Sequence, residues 1–273
     1  MPNLPIVEVD SPELLRAARE FGCFYLRHSL HQDAVALARA FFARREEEKR
    51  SLAIAGSPHF RGYSEMRNER DWREQIHFGR EEVSGEGLRG PNLWPGDGAW
   101  REAVLAVMGE LETVGRAVLE RFGPLMPAEE DAYVLLKMIH YYGSREARAG
   151  VAAHVDFSWV TLVAQDATGG LEICTPMGEW VAAPCVEGTL VVNLGEILQY
   201  ATGGLYQATP HRVMTGERSR VSLPFFLNPS LDRVVSVVEA GEHVHRVLRP
   251  APLHFGEEEW KRKGLGVWCA GCC

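Results

Sequence analysis

From about residue 133 the chain changes character, and that change constrains the fold more than any other feature. Short β-rich runs, "YVLLKMIHYY", "WVTLVAQD", "GTLVVN" and "VSLPFFLN", alternate with turns containing Gly, Pro or Asp. Ahead of them the pattern is helical. Residues 11–20 and 32–50 read as helices, and in the second Ala34, Leu37, Ala38, Phe41 and Phe42 recur at helical spacing with charges elsewhere. Gly and Pro punctuate 55–98, which reads as ordered loop with short strands. Trp100, Val104, Val107, Leu111, Val114, Val118 and Phe122 then step by three and four, the clearest helix in the chain, closed by Gly123-Pro124. Helices first and strands later, with no linker between, predict one domain over 1–273. Its class is mainly β with flanking helices. Residues 1–132 form a mostly helical part, 133–235 a jelly-roll core and 236–273 a C-terminal extension.

The strands also carry a chemical pattern. In "AAHVDFSWV" His154 and Asp156 are two apart, so on a strand both side chains point the same way. A later "TPHRV" adds His211. Two imidazoles and a carboxylate can hold one face of an octahedral metal ion and leave the other face open. Taken alone, His154 and Asp156 fit a strand histidine bonded to a nearby carboxylate equally well. The next stretch, "ERSRVSLPFFLN", tips the balance. Arg220 and Ser222 share one face of their strand, while Val221, Leu223 and Phe225 share the other. A guanidinium fork beside a hydroxyl suits a carboxylate. Asn193, ending "TLVVN", is a strand-end hydrogen-bonding residue or a contact near the metal.

The segment 61–80 interleaves Arg61, Arg67, Arg70, Arg73 and Arg80 with Glu65, Glu69 and Glu74. Such a mixed run is usually a solvated face. As a loop over the mouth of a barrel it would instead offer Arg61, Gln75 and His77 to a substrate. His243, His245 and His254 lack a carboxylate in register and read as surface histidines.

The chain's net charge of −8 argues against a general nucleic-acid or anionic-membrane binder. The first residues lack the basic start and apolar run of a secretory signal. No apolar stretch approaches the roughly 20 residues of a membrane helix. Cys23, Cys174, Cys185, Cys269, Cys272 and Cys273 offer no paired zinc motif and read as reduced thiols of a cytoplasmic protein.

Taken in order, these segments resemble the isopenicillin N synthase-like branch of the Fe(II)/2-oxoglutarate-dependent dioxygenases. "LPIVEVD", "FGCFYLRHS" and "FFARREEEKR" resemble the opening strands and helix end. "FRGYSE", "EQIHFG" and "GPNLWP" resemble the loops before the central helix. "LKMIHYY", "GGLEICTPMGEWVAAPC", "GTLVVNLGEILQYATGG", "TPHRV" and R-x-S-"LPFF" resemble the core strands. The resemblance implies a double-stranded β-helix core of cupin-like type. It implies Fe(II) on His154, Asp156 and His211, and 2-oxoglutarate on Arg220 and Ser222 with a tyrosine. Tyr141 matches that position without a gap, but the Pro that usually follows the Tyr is Tyr142 here, so either can face the site.

The implied activity consumes O2 and oxidises a small metabolite, as in secondary metabolism. An intact Asp156 points to hydroxylation, desaturation or oxidative cyclisation, since related halogenases lack that carboxylate. The alternatives are a 2-oxoglutarate-independent oxidase of the isopenicillin N synthase type and a non-catalytic binding protein. The tail "KGLGVWCAGCC" lacks the Gln that can ligate iron in isopenicillin N synthase. Monomer and homodimer both remain open.

Overall fold

The computed structural model describes residues 4–123, 130–175, 178–231 and 233–235, and the backbone of Leu253–His254. The side chains of His243, His245, His254, Cys269, Cys272 and Cys273 lie outside the described residues. An eight-stranded sheet runs β1-β2-β10-β7-β12-β5-β4-β3, facing a four-stranded sheet β6-β11-β8-β9. The large sheet comprises β1 (Ile6–Val7), β2 (Cys23–Arg27), β3 (Gly62–Arg67), β4 (Trp72–Gly79), β5 (Val134–Tyr141), β7 (Val160–Gln165), β10 (Thr189–Leu194) and β12 (Arg220–Leu227). The small sheet comprises β6 (Arg148–His154), β8 (Leu171–Cys174), β9 (Trp180–Ala182) and β11 (His211–Thr215). This is the jelly-roll expected from the strand pattern. The described residues include no helix long and apolar enough to cross a membrane.

Side-chain alternation gives the large sheet two different faces. Val221, Leu223, Phe225 and Leu227 of β12 join an apolar core beneath the helices α1 (Glu13–Phe21), α2 (His31–Phe42) and α4 (Gly98–Glu120). The inner face carries Tyr25, Ile139, Tyr141 and Val191, which meet Leu171, Ile173 and Val213 of the small sheet in a second core. Helix α4 starts where Asp97 accepts a hydrogen bond from the Trp100 amide at 3.1 Å, a helix N-cap. It presents Val104, Leu111, Val118 and Leu119 to the sheet. Gly115 removes the side chain where α4 passes Leu162 and Leu227, so the helix lies close against β7 and β12.

Three expectations about the first half change. The helix expected over 32–50 breaks after Phe42 and resumes as α3 (Glu46–Ser51), with Arg45 extended at φ −58°, ψ 145°. The break redirects the chain so that Lys49 reaches a buried carboxylate, Glu74, at 2.6 Å. Next, 55–98 is less of a loop than its Gly and Pro content implies. Strands β3 and β4 form a hairpin, and β4 pairs along β5 from Arg73↔Tyr141 to Gly79↔Leu135. Finally, four strands of the large sheet precede residue 133, so that position is no boundary within the sheet.

Gly22 ends α1 in the left-handed region at φ 66°. A Cβ there would meet Thr209 Oγ1 and the Gln207 carbonyl. Gly22→Ala is expected to lose about 1–2 kcal/mol from backbone strain alone, and more from the collision. The shift in the urea midpoint at unchanged slope measures it, and an unchanged midpoint would refute the argument.

Candidate active site

A cavity of about 820 Å3 opens between the two sheets. His154 and His211 meet in its wall because they pair directly across β6 and β11, with ring centroids 4.4 Å apart. Asp156 arrives differently from the sequence expectation. Strand β6 stops at His154, and Asp156 follows in the turn, where its carbonyl accepts the Glu196 amide at 2.8 Å. This amide opens α5 (Glu196–Ala201) and helps fix the turn. The carboxylate still comes between the rings: Asp156 Oδ1 is 3.6 Å from Nε2 of His154 and 3.6 Å from Nε2 of His211.

The ring tautomers follow from the backbone. His154 Nδ1 donates to the Ala152 carbonyl at 2.9 Å, and His211 Nδ1 to the Thr209 carbonyl at 3.1 Å. A carbonyl only accepts, so each ring carries its proton on Nδ1 and turns an Nε2 lone pair toward Asp156. Partial burial and the facing His211 ring hold the His154 imidazole below its usual range, which favours the neutral ring. Burial opposes ionisation of Asp156, but His211, His154 and the Thr161 and Asn193 side chains outweigh it and hold the carboxyl below its usual range. Asp156 Oδ2 is buried without a hydrogen bond.

Three donor atoms within 4.8 Å of one another therefore converge with no proton between them. Neighbouring ligands of a small octahedral ion stand about 3 Å apart, so the set needs only slight contraction to close on a metal. Two nitrogens and one oxygen on one side, with open space opposite, suit Fe(II). His154 is 41 % exposed while Asp156 and His211 are 3 % and 8 %, so the site opens outward along the His154 side.

Strand β12 supplies a second polar group to the same cavity. Arg220, Ser222, Pro224 and Phe226 all line it, as alternation requires. Arg220 pairs with Tyr141 across β5, and its guanidinium lies 4.9 Å from that ring. Ser222 Oγ donates to Tyr141 Oη at 3.4 Å. Arg220 Nη2 donates to Gln165 Oε1 at 3.0 Å, whereas Nε and Nη1 are buried without partners. A buried cation with idle donors is costly unless an anion meets it. Burial drags its pKa down, against Tyr141 and Asp166. Tyr141 lines the cavity, whereas Tyr142 turns away and donates to Glu65 at 2.6 Å.

The expected substrate contacts do not gather here. Arg61, 2 % exposed, donates to the carbonyls of His59 and Leu88 and to Tyr133 Oη, and so clamps loops together. Gln75 donates to Ser64 Oγ at 3.2 Å, and His77 is buried against Phe60. The reason is that 61–80 is a paired hairpin rather than a lid, so only its turn end reaches the cavity. Asn68, Glu69, Arg70, Asp71 and Arg73 line it, with Lys137 from β5. Arg73 shares the alternation of Gln75 and His77, and Lys137 that of Tyr141. Both were findable by parity but lay farther along their strands than the motifs pointed. Asn193 does line the cavity, opposite Thr161 in the β10–β7 register.

A family model described as the 2OG-Fe(II) oxygenase superfamily matches residues 133–229. A second, described as the non-haem dioxygenase N-terminal region in morphine synthesis, matches 10–97. A 2-oxoglutarate-dependent dioxygenase of Dothideomycetidae sp. is 28 % identical over 87 % of this chain and 75 % of its own length. A homoarginine-6-hydroxylase of Arabidopsis thaliana is 27 % identical over 88 % and 75 %. In fold the chain is similar to a full-length Neurospora crassa protein crystallised in complex with alpha-KG. That match has a TM-score of 0.81 and 20 % identity over 97 % of this chain and 96 % of the other.

If His154, Asp156 and His211 form one metal centre, each alanine variant will lose iron by elemental analysis while its far-UV dichroism stays native. Full occupancy in all three variants would remove the assignment.

Proposed function

Because this chain belongs to the 2OG-Fe(II) oxygenase superfamily and is a 2-oxoglutarate-dependent dioxygenase acting on a small molecule, we propose that His154, Asp156 and His211 hold its Fe(II) and that Arg220, Ser222 and Tyr141 hold its cosubstrate. The observation that carries this reading is the pair of idle, buried Arg220 donors in the cavity where the three metal-ligating side chains converge. When bound, Fe(II) supplies the O2 activation that couples decarboxylation of 2-oxoglutarate to oxidation of the substrate.

The chain's own residues bind and orient. Arg220 Nε and Nη1 receive the distal carboxylate, while Gln165 keeps the third nitrogen, Nη2, turned aside. Ser222 and Tyr141 present their hydroxyls beside the guanidinium. The Ala152 and Thr209 carbonyls hold the two ring protons away from the metal side. Asn193 and Thr161, paired across β10 and β7, stand beside the Asp156 carboxylate in the cavity wall. One carboxylate among three ligands neutralises half the charge of a dication, which favours a dianionic cosubstrate. The apolar wall of Val163, Leu171 and Val213 excludes water from the reacting groups.

The substrate oxidation we propose is hydroxylation, desaturation or oxidative cyclisation. Asp156 in place supports that set, and the hydroxylases among the relatives support its first member. We also read the chain as one oxygenase domain working in the cytoplasm, as monomer or homodimer, in secondary metabolism. The net charge of −8 supports a free small-molecule substrate over a nucleic acid or membrane.

Anaerobic Fe(II) protein titrated with 2-oxoglutarate should develop a visible charge-transfer band. Arg220→Ala should weaken that binding by about 2–5 kcal/mol. A wild-type protein that shows no band and releases no succinate would instead be an oxidase that does without 2-oxoglutarate.

A further inference from the structure

The cavity contains more positive charge than the metal and cosubstrate sites account for. Lys137 sits mid-strand on β5 and lines the cavity from the inner face. Its ammonium makes no hydrogen bond or ion pair with any described residue. Its neighbour is the Phe226 ring, 5.2 Å from Nζ to centroid. On the neighbouring β4, Arg73 also faces the cavity, but opposite Tyr141, in the row of Arg220. Arg73 Nη2 holds Asp71 Oδ1 at 2.9 Å, but its Nε is buried without a partner. Glu69 and Arg70 stand at the exposed rim. With Asp156 committed to the metal and Asp71 to Arg73, Lys137 has no counterion among the described residues.

Lys137 is badly placed to share the cosubstrate with Arg220. It is four residues from Tyr141, about 13 Å along the strand at the usual rise. Between them Ile139 faces the cavity, and Val151, Val163 and Leu171 continue the apolar wall. Burial and the Arg73 charge press the Lys137 ammonium down to about 8, while Asp156 and Asp71 pull the other way. An unpaired, partly desolvated cation beside open space is unfavourable until an anion arrives.

We propose that Lys137 is a substrate-binding residue, and that the substrate is a small carboxylate with an apolar body. The carboxylate meets the Lys137 ammonium. The apolar body lies along Ile139, Val163 and Leu171, and this fixes which carbon faces the metal site. The assignment rests on the oxygenase site described above and names the substrate class of that same cavity.

The test is anaerobic calorimetry on the full chain loaded with Mn(II) and 2-oxoglutarate. The probes are 3-phenylpropionate, cinnamate, octanoate and N-acetylphenylalanine, each beside its primary amide. Wild type should bind at least one acid roughly tenfold or more tightly than its amide, as a direct ion pair in a partly dry site allows. Lys137→Met should erase that preference, and Lys137→Arg should keep most of it. Affinity for 2-oxoglutarate should stay the same in both variants, which also certifies that they fold. No acid preference in wild type, or a preference that survives Lys137→Met, overturns the proposal. Failure of wild type to bind 2-oxoglutarate counts instead against the cosubstrate assignment. The acid–amide comparison is then scored on the Mn(II) protein alone.

Discussion

Everything in this molecule depends on the pleat of three adjacent strands, β5, β7 and β12. Their odd and even positions have opposite duties. On β12, Val221, Leu223, Phe225 and Leu227 close the core under the helices, while Arg220, Ser222, Pro224 and Phe226 face the cavity. A slip of one residue would put the guanidinium into the apolar core and a leucine into the cavity. The register is therefore held by the apolar face as firmly as by the hydrogen-bond ladder. Helix α4, drawn close at Gly115, is part of what sets the chemistry although none of its residues lines the cavity.

This also explains which parts could be read from residues alone. Alternation is local, so β12, β7 and β10 and the facing of Arg220 and Ser222 were legible from short windows. Helix α4 was legible because six apolar positions from Trp100 to Val118 keep its period. Pairing partners are not local. Nothing within "RGYSEMRNERDWREQIHFG" says that it pairs along β5, so a hairpin with one strand paired on both sides reads as a charged loop. The same gap hides which end of the hairpin reaches the cavity: Arg73 lines it, whereas Gln75 and His77 are not among the lining residues. Asp156 does meet the two histidines, but strand alternation accounts for that only in part. Its position depends on a turn stabilised by α5 and not on strand alternation.

The buried charges fall into two kinds. Glu74, on the outer face of β4, accepts from Lys49 at 2.6 Å, Tyr63 at 2.7 Å and His140 at 2.8 Å. These bonds outweigh burial and hold its carboxyl below the ordinary range. That cluster satisfies itself, ties α3 to the hairpin and leaves nothing for a ligand. Arg73 is the very next residue inward along the same strand, and Arg220 lies two strands away; each keeps a buried guanidinium nitrogen idle. The contrast is one of place: the Glu74 cluster is closed within the fold, whereas Arg73 and Arg220 face the open cavity.

One peptide links the beginning of the chain to its chemistry. Thr209 Oγ1 donates to the Phe21 carbonyl at 2.7 Å, where α1 ends, and the Thr209 carbonyl accepts the His211 Nδ1 proton at 3.1 Å. The His211 ring of the candidate metal-binding cluster is thus aimed by a residue anchored to the first helix. Cutting the barrel strands out alone would remove the carbonyl that holds Thr209, so the aim of His211 is inherited in part from sequence almost two hundred positions upstream. A different opening segment would keep that contact only if it ended its helix with a backbone carbonyl at the same place.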